Sequence, residues 1–116
     1  MKTALVAFDS KPFNLILSKM LNDLGFTVIT TLDYNEAIEL CDKEHPDVFF
    51  IDWFLNKKEI QTLLKKITFK PSLIFISKQT DKQIIAKALE LGANEYIMKP
   101  FDSDILQSKL SMTGVV

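Results

Sequence analysis

Hydrophobic residues in this chain follow two alternating rhythms. Ala4-Leu5-Val6-Ala7-Phe8, Val48-Phe49-Phe50-Ile51, Leu73-Ile74-Phe75-Ile76 and Tyr96-Ile97-Met98 are short unbroken apolar runs, and Thr27-Val28-Ile29-Thr30-Thr31 is a β-branched one. Runs of this length read as strands, expected over residues 3–8, 27–31, 47–51, 73–76 and 95–98. Between them apolar residues recur every three or four positions, which predicts helices with one buried stripe each. The first carries Phe13, Ile16, Leu17, Met20, Leu21 and Leu24, with Ser10 and Pro12 as start signals and Gly25 as its stop. Asp33 and Glu36 form a capping-box pattern ahead of Ala37, Ile38 and Cys41, and His45-Pro46 closes that helix. Ile60, Leu63, Leu64 and Ile67 keep the spacing of a third buried face. Thr80-Asp81-Lys82-Gln83 has the capping-box pattern ahead of Ile84, Ile85, Ala88 and Leu89, and Gly92 ends that helix. A fifth helix starts near Asp102 with Ile105, Leu106 and Leu110, leaving residues 112–116 as an expected frayed tail.

Strand then helix, repeated, with strands apolar on both faces, indicates an α/β domain whose parallel sheet is covered on each side. Right-handed crossovers leave few topologies. The expected fold is a flavodoxin-like doubly wound five-stranded parallel sheet, strand order 2-1-3-4-5, with five helices and the ligand crevice at the carboxyl ends of strands 1 and 3. Asp9, Asp52, Ser77 and Lys99 each stand just past an apolar run, so this topology brings them to one edge.

Composition narrows the function classes. The 116 residues suit one domain, 1–116, and 14 basic against 15 acidic residues give a net charge of -1. Nothing there attracts nucleic acid or anionic lipid, and the lysines are dispersed. The apolar runs fall far short of the ~20 residues a membrane helix needs, and residues 1–3 lead straight into a strand, so the expected compartment is the cytoplasm. Cys41 has no partner cysteine and shares a helical face with Tyr34, Ala37 and Ile38, which reads as a buried thiol. His45 reads as a helix-end residue and not a metal ligand.

Two carboxylates with a hydroxyl and an ammonium suit phosphoryl transfer. A carboxylate attacks an anionic phosphoryl group poorly unless a divalent cation and an ammonium neutralise its oxygens. Asp52 would accept the group and ligate Mg²⁺, Asp9 would hold the Mg²⁺, and Lys99 and Ser77 would bind phosphoryl oxygens. Each residue has a plainer role by itself: Asp9 as a helix cap, Ser77 as a strand-end hydroxyl, Lys99 as a solvated side chain, Tyr96 as a packed aromatic. Asp52 resists that treatment, because an acid between Ile51 and Trp53 must be hydrogen-bonded, paired or shifted in pKa.

At these residues the chain resembles the receiver domains of two-component response regulators, the CheY-like family, along essentially its whole length. The resemblance is carried by Asp9 before a helix ending Leu24-Gly25-Phe26, by Phe50-Ile51-Asp52-Trp53, Phe75-Ile76-Ser77, Gly92-Ala93-Asn94-Glu95-Tyr96 and Met98-Lys99-Pro100-Phe101. It implies a signalling phosphoacceptor that is not an enzyme beyond its own phosphorylation and dephosphorylation. Asp52 would be phosphorylated from a phosphohistidine on a sensor histidine kinase or histidine phosphotransfer protein. Lys99 would contact the phosphate, and the Lys99-Pro100 bond would be cis. Ser77 and Tyr96 would act as the switch, remodelling a surface of the fourth helix, fifth strand and fifth helix for a downstream protein target. Phe54 and Gln79 match the positions that tune dephosphorylation, and bulky Phe54 predicts a slow reaction.

Two departures stand out. Phe8 replaces the first of the family's two acids at the end of strand 1, which weakens Mg²⁺ binding on the order of tenfold to thirtyfold. The loop Trp53-Phe54-Leu55-Asn56-Lys57-Lys58-Glu59 lacks the usual proline and Asp-Gly turn, although the Phe54 backbone carbonyl could still face the metal. A competing expectation is therefore a pseudo-receiver, a protein-interaction module that never uses phosphate. A flavin-binding module is disfavoured, since Asp9-Ser10-Lys11-Pro12-Phe13-Asn14 has no glycine to cradle a phosphate. The sequence ends where an effector domain could begin.

Overall fold

The computed structural model describes residues 2–78 and 82–115. Its elements are β1 (Thr3–Ala7), α1 (Lys11–Asp23), β2 (Thr27–Thr31), α2 (Tyr34–Glu44), β3 (Val48–Ile51), β4 (Phe54–Leu55), β5 (Lys58–Glu59), α3 (Ile60–Lys66), β6 (Ser72–Ser77), α4 (Lys82–Glu90), β7 (Ala93–Met98) and α5 (Ser103–Thr113). The main sheet runs β2-β1-β3-β6-β7, all parallel, which is the expected 2-1-3-4-5 order once the small β4-β5 hairpin is set aside. The hairpin was not anticipated.

The alternation of side chains along each strand divides the core into two layers. Leu5, Ala7, Phe49, Ile51, Leu73 and Phe75 face α2, α3 and α4, while Ala4, Val6, Val48, Phe50, Ile74, Ile76 and Ile97 face Leu17 and Leu21 of α1 and Leu106 and Leu110 of α5. Phe8 continues the second set and is buried there. Local signals fix the helix ends. The Ser10 hydroxyl caps α1 by accepting from the Phe13 N–H at 3.2 Å, and the Asp33 carboxylate caps α2 by accepting from the Glu36 N–H at 2.9 Å. Gly25, at φ +94°, takes the left-handed position that lets the chain leave α1. Buried Asn14 donates from Nδ2 to the carbonyls of Phe8, at 3.3 Å, and Thr31, at 3.1 Å, tying α1 to the carboxyl ends of β1 and β2.

Two expectations need correction. In α4 only Ala88 is buried; Ile84 and Ile85 are half-buried and Leu89 is exposed, and Ile16 of α1 and Ile105 of α5, set on buried stripes by their spacing, are exposed as well. Ala88 makes the close approach to the sheet, and Leu89 lies about 100° further round the helix, outside the contact. Nor does the whole tail fray: α5 runs to Thr113, Gly114 at φ +78° turns the chain back, and Val115 packs onto the α1-α5 layer. Of the capping pattern at 80–83, Thr80 and Asp81 lie outside the described residues.

Cys41 is fully buried, and burial, reinforced by the neighbouring Asp42 charge, pushes its thiol up to about 12. Asp42 is pulled the other way. Its Oδ1 accepts from the Phe69 N–H at 3.0 Å and the Thr68 N–H at 2.8 Å, and the Phe69 bond leads in lowering its pKa. A folded pKa below the unfolded value of about 3.9 contributes stability that is complete above that value and disappears as pH falls through the folded one. Chemical denaturation across pH should therefore show wild type more stable than Asp42→Asn near neutrality, with the gap closing in acid. A gap independent of pH would contradict this linkage.

Candidate functional site

Sheet register sets the level of each residue at the carboxyl edge. Ile51 is paired with Ala7 on one side and Phe75 on the other, so Phe8, Asp52 and Ile76 follow at one common level. Asp9 and Ser77 stand one residue further on. Ser77 pairs with Met98, and the Lys99 N–H donates to the Ser77 carbonyl at 3.0 Å, which fastens the backbone of Lys99 beside it. The Lys99-Pro100 bond is cis. Asp9, Asp52, Ser77 and Lys99 thus meet on one edge, on strands adjacent in the sheet.

Asp52 is half-buried, and its Oδ1 accepts from the Trp53 N–H at 2.7 Å. The Trp53 ring meets Phe75 edge to face at 5.1 Å, and Phe75 stacks on Tyr96 at 6.4 Å. A row of aromatics therefore leads from the neighbour of Asp52 to Tyr96. Tyr96 and Ser77 are both buried, at 7% and 3% exposure, so the two switch candidates already lie inside the fold. Gln79 lies outside the described residues. Phe54 stands half in solvent on the hairpin.

Asp9 is free of capping duty, because Ser10 performs it. Its partner is Asn56. Both the backbone N–H and Nδ2 of Asn56 donate to Asp9 Oδ1, at 2.8 and 3.0 Å. Nδ2 also donates to the Leu32 carbonyl at 2.8 Å, and Oδ1 accepts from the Tyr34 N–H at 2.6 Å. One exposed side chain thus joins the end of β1, the β2-α2 turn and the start of α2. It does so from the hairpin tip, where Asn56 and Lys57 both take left-handed backbone, φ 54° and 62°, as a two-residue turn between twisted strands requires.

Lys99 makes no ion pair among the described residues; its ammonium lies over aromatic rings, 4.0 Å from the centroid of Phe13 and 5.6 Å from that of Phe8. Position 8 contributes a buried hydrocarbon to this edge where an acid was expected.

The donor chemistry fits Mg²⁺ in its sparse form. No group of three or more acids, histidines or cysteines gathers among the described residues. Asp9 and Asp52 each keep one carboxylate oxygen clear of hydrogen bonds there, and ladder alternation leaves the Phe54 carbonyl outside the hairpin's own bonds. Two carboxylates and a carbonyl, completed by water and a phosphoryl oxygen, make a set of hard oxygens that Mg²⁺ accepts.

The profile of the response regulator receiver domain matches residues 4–111. The chain belongs to this family. Among curated relatives, this receiver is 30% identical over 109 residues to a probable transcriptional regulator ycf27 of Porphyridium aerugineum, covering 91% of this chain and 45% of that protein. It is 31% identical over 90 residues to a probable C4-dicarboxylate response regulator DctR of Priestia megaterium, covering 74% and 40%. The receiver therefore spans less than half the length of these relatives. Among solved structures, chemotaxis protein CheY4 of Vibrio cholerae superposes with a TM-score of 0.85 at 22% identity, covering 97% of this chain and 98% of that one. A two-component response regulator from Clostridium difficile gives 0.88 at 23% identity, covering 97% and 95%. Those likenesses establish a CheY-like fold.

Sequence reasoning missed Asn56 and the second role of Phe13. The signal for Asn56 was an Asn-Lys pair able to take a two-residue turn, masked by the absence of glycine. Phe13 read as one more residue of an apolar stripe. Asn56→Ala removes three side-chain hydrogen bonds, two to backbone groups, and should lower stability by about 1–2 kcal/mol in chemical denaturation. A change within measurement error would show that the hairpin tip does not anchor this edge.

Proposed function

We propose that this receiver is a phosphorylation-dependent signalling module in which Asp52 accepts a phosphoryl group from a phosphohistidine. The donor would be a sensor histidine kinase or a histidine phosphotransfer protein in the cytoplasm. The observation that carries this reading is the register that gathers Asp52, Asp9, Ser77 and Lys99 on one sheet edge. An Asp52 oxygen bonds to phosphorus as the N–P bond breaks, and the imidazole of the donor keeps the electron pair and takes up a proton. Bound Mg²⁺, held by Asp9, Asp52 and the Phe54 carbonyl, would neutralise the phosphoryl oxygens. Lys99 supplies a cation to those oxygens, and Ser77 a hydroxyl donor. Asp9 must share its carboxylate with, or release it from, Asn56 for that purpose.

The output is a shift of population at the α4-β7-α5 surface, with Ser77 and Tyr96 as the moving parts. Leu89, Met98 and Ile105 are exposed apolar residues of those three elements, as a protein-docking face requires. With a net charge of -1, this domain is assigned no nucleic-acid partner. Two observations favour a second reading, a pseudo-receiver that binds a partner without phosphate: Phe8 in the place of an acid, and Asn56 on Asp9.

Incubation with acetyl phosphate and Mg²⁺, followed by intact mass spectrometry, separates the two. A gain of one phosphoryl group in wild type and none in Asp52→Asn is expected, with slow loss afterwards because Phe54 shields the acyl phosphate from water. No gain at saturating Mg²⁺ would sink the phosphoacceptor and leave the pseudo-receiver.

A further inference from the structure

With Phe8 in place of an acid, rings hold the Lys99 ammonium where an ion pair would have done so. Phe8 and Phe13 meet edge to face, centroids 4.8 Å apart at 77°, and Phe101 packs edge-on against Phe13 at 6.3 Å. Phe8 is buried in the layer beneath α1 and α5, and the partly buried Phe13 and Phe101 pack onto it. Lys99 is half-buried above it. A cation over a ring face is attracted by the ring quadrupole, and more so where water is thinned.

We propose that Phe13, backed by Phe8, is a positioning residue that parks the Lys99 ammonium while Asp52 is unmodified and yields it to the phosphoryl oxygens once Asp52 is loaded. The proposal rests on Asp52 being the phosphoacceptor. Its physical basis is that a ring holds an ammonium without neutralising it. An acid at position 8 would oppose release with a full charge, whereas the quadrupole gives way to a phosphoryl anion. The move needs no backbone change: the Lys99 N–H stays on the Ser77 carbonyl, and only the flexible four-carbon stem swings. A plainer reading is that the stem merely lies along apolar surface.

NMR of the full chain with labelled lysine decides between them, the Lys99 signal being assigned by its loss in Lys99→Arg. In the resting protein the ε-methylene resonance of Lys99 should be shifted upfield by the rings. Mg²⁺ with beryllofluoride, a phosphoryl analogue, should return it toward the position of a solvated lysine. Phe13→Tyr keeps the upfield shift and Phe13→Leu abolishes it. Phe13→Leu should also bind beryllofluoride about two- to fivefold more tightly, since the rings no longer compete. An unshifted Lys99 in resting wild type overturns parking by itself, as does Phe13→Leu binding no tighter than wild type. Failure of wild type to bind beryllofluoride at all overturns the phosphoacceptor reading and the release step with it, so the two failures are distinct.

Discussion

β3 is buried on both faces and paired along both edges, so its carboxyl end cannot shift without breaking the ladder to β1 or to β6. A slip of one residue would also turn Phe49 and Ile51 into the layer that holds Phe50, exchanging the two halves of the core. Asp52 inherits its position from that constraint. So does Asp9 from β1, and Ser77 with Lys99 from the β6-β7 ladder. The polar edge takes its level from the apolar strands behind it, and Asn56 ties the end of β1 to the start of α2 in front of it.

That dependence explains what could be read from the sequence. Asp9, Asp52, Ser77 and Lys99 were visible because each follows an apolar run, and topology then brings run ends together without any knowledge of side-chain contacts. Ser10, Asp33 and Gly25 were legible for the same local reason, since caps act within a few residues. The misses depend on surroundings. Leu89 fits the stripe of α4, yet small Ala88 takes the contact with the sheet. Val115 was assigned to a frayed tail because two valines after Gly114 are too few to give a periodic signal. Asn56 bonds to Asp9, Leu32 and Tyr34, partners 22 to 47 residues away, and no spacing rule reaches that far.

Phe8 and Asn56 act on one balance. With Phe8 in place of an acid, this edge sets Asp9 and Asp52 beside Lys99, less negative than a site with three acids. Such an edge attracts a divalent cation less, and repels an incoming phosphoryl anion less. Asn56 donors satisfy an oxygen of Asp9 that a cation would otherwise claim, and the rings of Phe8 and Phe13 hold an ammonium that a carboxylate would otherwise pair. In both places a neutral partner stands where a charge would be, and on the proposed function these are the contacts that a phosphoryl group and its metal must outcompete.

Trp53 offers a direct view of that competition. It is the single tryptophan of the chain, and its backbone N–H is bonded to Asp52. A titration of Mg²⁺ followed by Trp53 emission should give a saturable change in wild type, and none in Asp9→Asn. Emission that stays flat in wild type through saturating Mg²⁺ would contradict the account, leaving an edge with the residues of a phosphoacceptor site and no cation to work with.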